Sequence, residues 1–255
     1  MEHDCNQSLM ERAQEYWDAR LSSLPPQSAE EYFALLLERA LRARGAGDYG
    51  ISAALAVRCH GLEIVSFGLN TIYSQCNPLG HAEANAIRNI SDLIALSPNA
   101  MENSISSWTS TSNILHSDAS IFTRMTNDTH CQSVLYTTLE PCPMCTVALI
   151  TAGVDSVLVA TPDEWAGALA SSRLNSLPAA WPELAGRQGL QVCLRNSDPA
   201  NVSTFIPPEL ISMLSEVFLS SQESLDTKIG QGGVLSVSTI CSAVKRAKHI
   251  PRRGL

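Results

Sequence analysis

Four side chains carry the chemistry open to this sequence: His81 and Glu83 in "GHAEANAI", and Cys142 and Cys145 in "EPCPMC". Cys142 and Cys145 are three residues apart, which puts both thiols on one face of a helix. Pro143 between them suits a first helical turn, where its missing N–H has no partner to lose. Both thiols therefore sit near a helix N-terminus, whose partial positive charge favours thiolate. Two thiolates and the neutral imidazole of His81 fill three positions of a tetrahedral zinc site and leave the fourth open, the form of a catalytic centre. Glu83 is two residues from His81 and cannot point the same way on a helix, so it stands beside the metal. A carboxylate there can take a proton from a water whose pKa zinc lowers to about 7 and return it to a substrate nitrogen. A CxxC can also be a redox pair, but no thioredoxin-like pattern surrounds this one.

The elements that must position these residues are readable in outline. Residues 8 to 20 and 28 to 44 read as helices, the second opened by a capping box of Ser28 and Glu31. "ISAALAV" and "LEIVSFG", separated by "RCHG", have the pattern of an antiparallel hairpin. "HAEANAIRNISDLIAL" has helical spacing, "SVLYTTL" is strand-like, "CPMCTVALITAG" is a helix ended by Gly153, and "DSVLVAT" is again a strand. The order ββαβαβ from residue 51 predicts a sheet with parallel pairs and helices on its faces. Between the two clusters lies a Ser/Thr/Asn-rich insertion at about 97–130, read as a long loop or lid. Beyond residue 165 only "PPELISMLSEVFL" reads clearly, as a helix.

Composition sets the class. With 255 residues, 45% hydrophobic and 16% charged, the chain can bury a sizeable core. No apolar run is long enough for a membrane span, and the acidic, polar start is unlike a signal peptide, so a cytoplasmic location is expected. A formal net charge of −8 disfavours a broad grip on nucleic acid and favours small-molecule substrates. The exception is the basic tail holding Lys245, Arg246, Lys248, Arg252 and Arg253, read as solvated, with a nucleic-acid contact as the alternative. The cysteines outside the CxxC are expected mostly as buried thiols.

"NPLGHAEANAIRN" followed by "VLYTTLEPCPMCTVALITAGVDSVLVATPD" resembles the cytidine and deoxycytidylate deaminase superfamily, closest to its guanine deaminase and tRNA adenosine deaminase branch. The H-x-E and P-C-x-x-C pair is the arrangement of zinc deaminases. The resemblance covers about residues 50 to 170. It implies an α/β fold, a three-layer α/β/α sandwich around a five-stranded mixed sheet, with Zn²⁺ on His81, Cys142 and Cys145 and Glu83 as proton shuttle. It further implies substrate contacts from Asn70 and Asp163, for which a turn and a helix-capping role are the alternatives. Trp165 could stack on a ring or simply pack. A homodimer is implied as well. The domain reading is an N-terminal helical extension at 1–48, a zinc deaminase core at 49–170 and a C-terminal extension at 171–255. The clusters stand 61 positions apart, wider than the resemblance implies. Around the insertion Cys76, His116, His130 and Cys131 could hold a second, structural zinc, against the plainer reading of scattered structural residues. The expected activity is deamination of an amino-substituted nucleobase, nucleoside or related heterocycle. The alternatives are tRNA adenosine deamination and a catalytically silent, partner-binding subunit.

Overall fold

The computed structural model describes residues 2–20, 26–59, 62–95, 114–116, 131–194 and 204–229. The basic tail, most of the insertion and His130 lie outside the described residues. In chain order the elements are α1 (Glu2–Arg20), α2 (Ala29–Gly45), β1 (Ser52–Cys59), β2 (Leu62–Leu69), α3 (Ala82–Ala95), β3 (Ile114–His116) and β4 (Gln132–Leu139). There follow α4 (Pro143–Ala152), β5 (Ser156–Thr161), α5 (Ser171–Leu174), α6 (Ala180–Gln188), β6 (Gln191–Leu194) and α7 (Pro208–Ile229).

The strands form one mixed sheet in the order β3-β2-β1-β4-β5-β6. β1 pairs antiparallel with β2 and β4, and β5 pairs parallel with β4 and β6. Five strands, β1, β2, β4, β5 and β6, make the expected deaminase-like sheet. The insertion adds the three-residue β3 at the β2 edge, in register Ile64 with His116.

Helices cover both faces, so the strands read as continuous apolar runs whose side chains alternate between two cores. Ala53, Leu55, Leu135, Val157 and Val159 meet α3 and α4. Ala54, Ala56, Phe67, Tyr136 and Leu158 meet α2 and α7. The second layer is dense: Tyr32, Phe33, Leu36 and Leu37 of α2 are fully buried, each contributing about 1.5–3 kcal/mol of hydrophobic stabilisation. These helices fall in the stretches set apart as extensions, and they supply one of the two helical layers. α7 runs well past the predicted segment because Leu210, Leu214, Val217, Ser221 and Leu225 continue one buried stripe. The Ser221 hydroxyl also accepts the buried Gly50 N–H at 2.9 Å.

Ser28 opens α2 as predicted, its Oγ accepting the Glu31 N–H at 3.2 Å. The Glu31 carboxylate reaches back one residue further than a simple capping box, to the Gln27 N–H at 2.6 Å. α3 lies directly on β2 because Gly68 has no side chain: a Cβ there would stand 1.9 Å from the Ala82 carbonyl oxygen. Asn85 and Asn89 fasten the contact by donating to the Leu69 and Phe67 carbonyls, each at 2.7 Å.

One cysteine closes part of the second-zinc alternative, and another departs from the expectation of mostly buried thiols. Cys131 is disulfide-bonded and offers no thiolate to a second zinc. Cys76 is exposed, in a turn with φ of 50°, and so is not a buried thiol. Among the described residues the only cluster of three or more His, Cys, Asp or Glu side chains with metal-binding spacing is His81, Cys142 and Cys145. No described helix is long and apolar enough to cross a membrane.

Candidate metal and substrate site

The two chemical clusters meet at adjacent helix starts. His81 immediately precedes α3, and its carbonyl accepts the Asn85 N–H at 2.9 Å. Glu83 lies in the first turn of the same helix. Cys142 is the N-cap of α4, Pro143 follows in the first turn, and Gly153 closes the helix at φ of 71°. The parallel β4–α4–β5 crossover sets this second helix beside the first.

The ligand atoms of His81, Cys142 and Cys145 all lie within 4.8 Å of one another, and Cys142 Sγ is 3.7 Å from His81 Nδ1. Donor pairs around a tetrahedral zinc stand roughly 3.5–4 Å apart, so a soft two-sulfur, one-nitrogen set at this separation fits that ion. The electrostatics agree. A hydrogen bond from Cys145, joined by the His81 contact, holds the Cys142 thiol down to about 4 against the opposing effect of burial. The same hydrogen bond, burial and the nearby negative charges push the Cys145 thiol up. The hydrogen bond to Cys142 raises His81.

Glu83 is 4% exposed, and burial is the main cause that raises its carboxyl above the usual range. A raised carboxyl is suited to give a proton as well as take one. Thr137 of β4 sits behind it, its hydroxyl 3.4 Å from Glu83 Oε1 and 2.9 Å from the Leu139 carbonyl.

Both groups open onto a cavity of about 940 Å³. Asn70 and Asp163 line it too, so all six predicted site residues except the buried Cys145 are in its wall. Asn70 is 2% exposed, and its Oδ1 accepts the Ile72 N–H at 3.3 Å. Asp163 Oδ1 accepts the Trp165 and Ala166 N–H groups at 3.0 and 2.9 Å, so capping a turn occupies that oxygen. Trp165 is 91% exposed at the rim.

Sequence reasoning assigned no role to Glu140, although it stands in "EPCPMC". Its buried carboxylate accepts from the N–H groups of Asp163, Leu169 and Ala170 at 3.1, 3.1 and 3.0 Å, with the Arg173 guanidinium 3.6 Å away. Gly167 permits this approach, since a Cβ there would lie 2.4 Å from the Glu140 carboxyl carbon. Glu140 therefore ties the cavity wall at 163–170 to the start of α4. Also unassigned were Phe218, Leu219 and Gln222 of α7, which close the cavity from the other side.

The cytidine and deoxycytidylate deaminase zinc-binding region matches residues 26–161, more than half of the chain. The chain belongs to that deaminase family. No curated protein matches it by sequence. Among solved structures it is similar to one from a study of A-to-I editing by tRNA:A34 deaminases, at 21% identity and TM-score 0.42 over 64% of this chain and 95% of that one. A guanine deaminase from Nitrosomonas europaea is 17% identical, TM-score 0.46, over 80% and 92%. RibD from Acinetobacter baumannii is 17% identical, TM-score 0.38, over 76% and 39%.

Proposed function

We propose that this protein is a zinc-dependent hydrolytic deaminase that converts an amino-substituted nucleobase, nucleoside or related heterocycle to its oxo product and ammonia. The observation carrying the proposal is the meeting of His81, Cys142 and Cys145 beside a buried carboxylate in the wall of a large cavity. In this reading His81, Cys142 and Cys145 hold the zinc. When bound, the metal supplies Lewis acidity and an acidified water. Glu83 collects the proton that the attacking water gives up and delivers it to the ring nitrogen. It then moves the second proton to the exocyclic amine, which leaves as ammonia while the ring carbon keeps the water oxygen. Thr137 steadies that carboxylate, and the apolar cavity walls limit competing water. Asn70 is assigned to the substrate, its amide nitrogen serving as donor once Oδ1 has taken the Ile72 N–H. Asp163 shapes the wall beside it. The presence of Glu83 favours an enzyme over a silent subunit. A cytoplasmic homodimer completes the reading, on family resemblance and composition.

The test is ammonia release from a panel of amino-purines and amino-pyrimidines by zinc-loaded protein. Release that disappears in Glu83→Gln while zinc is kept supports the reading. A zinc-loaded wild type that binds such a compound and releases nothing overturns it.

A further inference from the structure

The cavity is unusual in its charge as well as its size. Its wall includes the carboxylates Glu83, Glu140, Asp163 and Glu164, and among the described residues that line it there is no lysine or arginine. Arg173, beside the cavity wall, is engaged by the Asp163 and Gly167 carbonyls and by Glu140. A phosphate in a partly buried pocket needs arginine or lysine to replace its lost hydration, and the described lining offers it carboxylates instead. At about 940 Å³ the volume is near the upper end for small-molecule pockets, more than a bare ring fills.

α7 supplies what a substituent would touch. Phe218 and the half-exposed Leu219 face the cavity from one side and the indole of Trp165 stands at the rim. Exposed apolar side chains grouped at the mouth of a pocket mark a contact surface, and an indole is well suited to a planar ring. Next to them the half-buried side chain of Gln222 lines the cavity. Its amide offers a donor and an acceptor to a neutral hydroxyl.

We infer that α7 is the specificity wall of the site and selects an unphosphorylated nucleoside: an amino-heterocycle bearing a neutral, hydroxylated substituent. The ring runs inward to Glu83 and the substituent lies between Trp165, Leu219 and Gln222. The inference rests on the deaminase reading for the orientation of the ring, but its test reads binding separately from turnover.

The probes are adenosine, guanosine and cytidine, their free bases and their 5′-monophosphates, titrated calorimetrically into zinc-loaded Glu83→Gln protein and assayed for ammonia release with wild type. At least one nucleoside is expected to bind roughly tenfold or more tightly than its monophosphate and its base. Gln222→Leu should remove most of the nucleoside's advantage over the base while leaving base binding unchanged. Leu219→Arg, at an exposed position that tolerates the change, should narrow the gap between nucleoside and monophosphate by about tenfold by placing a cation at the rim. A monophosphate that binds as well as its nucleoside overturns the inference, as does a gap that Leu219→Arg leaves unmoved. Nucleoside binding in this pattern without ammonia release by wild type overturns the deaminase reading and leaves the pocket assignment standing.

Discussion

The hydroxyl of Thr137 lies 3.4 Å from Glu83 Oε1 while it bonds the Leu139 carbonyl at 2.9 Å. One hydroxyl carries one proton, which the Leu139 carbonyl and the Glu83 carboxylate share as acceptors, the nearer carbonyl taking the larger part. The shared donor helps to hold the rotamer of the ionised Glu83. Thr137→Val should therefore keep zinc, lower turnover about three- to tenfold and cost about 1–3 kcal/mol of stability through the abandoned carbonyl. Thr137→Ser should restore turnover. Ammonia release and a denaturant melt check both, and a serine variant as slow as the valine one would show that packing alone is at stake.

Glu140 makes the opposite kind of contribution, to the wall and not to the chemistry. Three backbone N–H groups and Arg173 converge on a carboxylate that is 3% exposed. Such charge-assisted bonds are worth about 1.5–3 kcal/mol each in isolation, and their loss is not additive. Glu140→Ala is expected to lower the melting temperature by roughly 5–15 °C, at about 2–4 °C per kcal/mol for a chain of this size. Zinc content should fall much less than in the ligand variants. Calorimetry with metal analysis decides it.

How far the site was legible follows from where its signals lie. His81, Glu83, Cys142 and Cys145 were readable because each pair is close in sequence and each stands at a helix start with local punctuation, Pro143 and Gly153 above all. β1, β2, β4 and β5 were readable as apolar runs. β6 is four residues, "QVCL", one exposed and three half-buried, too short to show a period. The far half of α7 was hidden because "SSQESLDTKI" is polar, yet Ser221 and Leu225 keep the buried stripe going. Thr137, Glu140 and Phe218 acquire their roles from contacts across tens of residues, which periodicity does not encode.

A pH response arises far from the site. The Tyr32 phenol donates to Glu63 and its ring stacks on Tyr136, with centroids 4.0 Å apart. Burial, reinforced by Glu63, pushes Tyr32 well above the ordinary value near 10, and burial also raises Tyr136. Above pH 10 the unfolded chain gives up these protons and the folded chain keeps them. Stability is thus full below pH 10 and falls as pH rises beyond it, by up to about 1.4 kcal/mol per pH unit for Tyr32, with Tyr136 adding to the fall. Tyr32→Phe should be about 1 kcal/mol less stable at neutral pH but should lose stability less steeply above pH 10. Denaturant midpoints from pH 8 to 11 test the slope.

The metal assignment has a direct test. Wild type should hold one zinc ion per chain, and Cys142→Ala, Cys145→Ala and His81→Ala should each lose it, because two donors do not make a stable tetrahedral site. Cys76→Ala, whose thiol is exposed and is not among the clustered donors, should retain it. Zinc retained in full by all three ligand variants would end the assignment.

The last expectation concerns Glu83, since it divides an enzyme from a binding subunit. Glu83→Gln preserves the size of a side chain that is 4% exposed and removes the only carboxylate placed against the metal ligands among the described residues. If Glu83 moves protons and does not ligate, the variant keeps zinc and binds substrate but cannot take the proton from water. General acid/base groups contribute about 10²- to 10⁴-fold, and here one group serves both the ring nitrogen and the leaving amine, so a loss at or above the top of that range is expected. Zinc content, substrate affinity and ammonia release measured side by side separate the outcomes. Turnover above roughly a tenth of wild type is more than the loss of the main proton carrier permits. Loss of zinc instead would place Glu83 among the ligands, and the open fourth position that the His81, Cys142 and Cys145 geometry provides for water would then be filled by the protein.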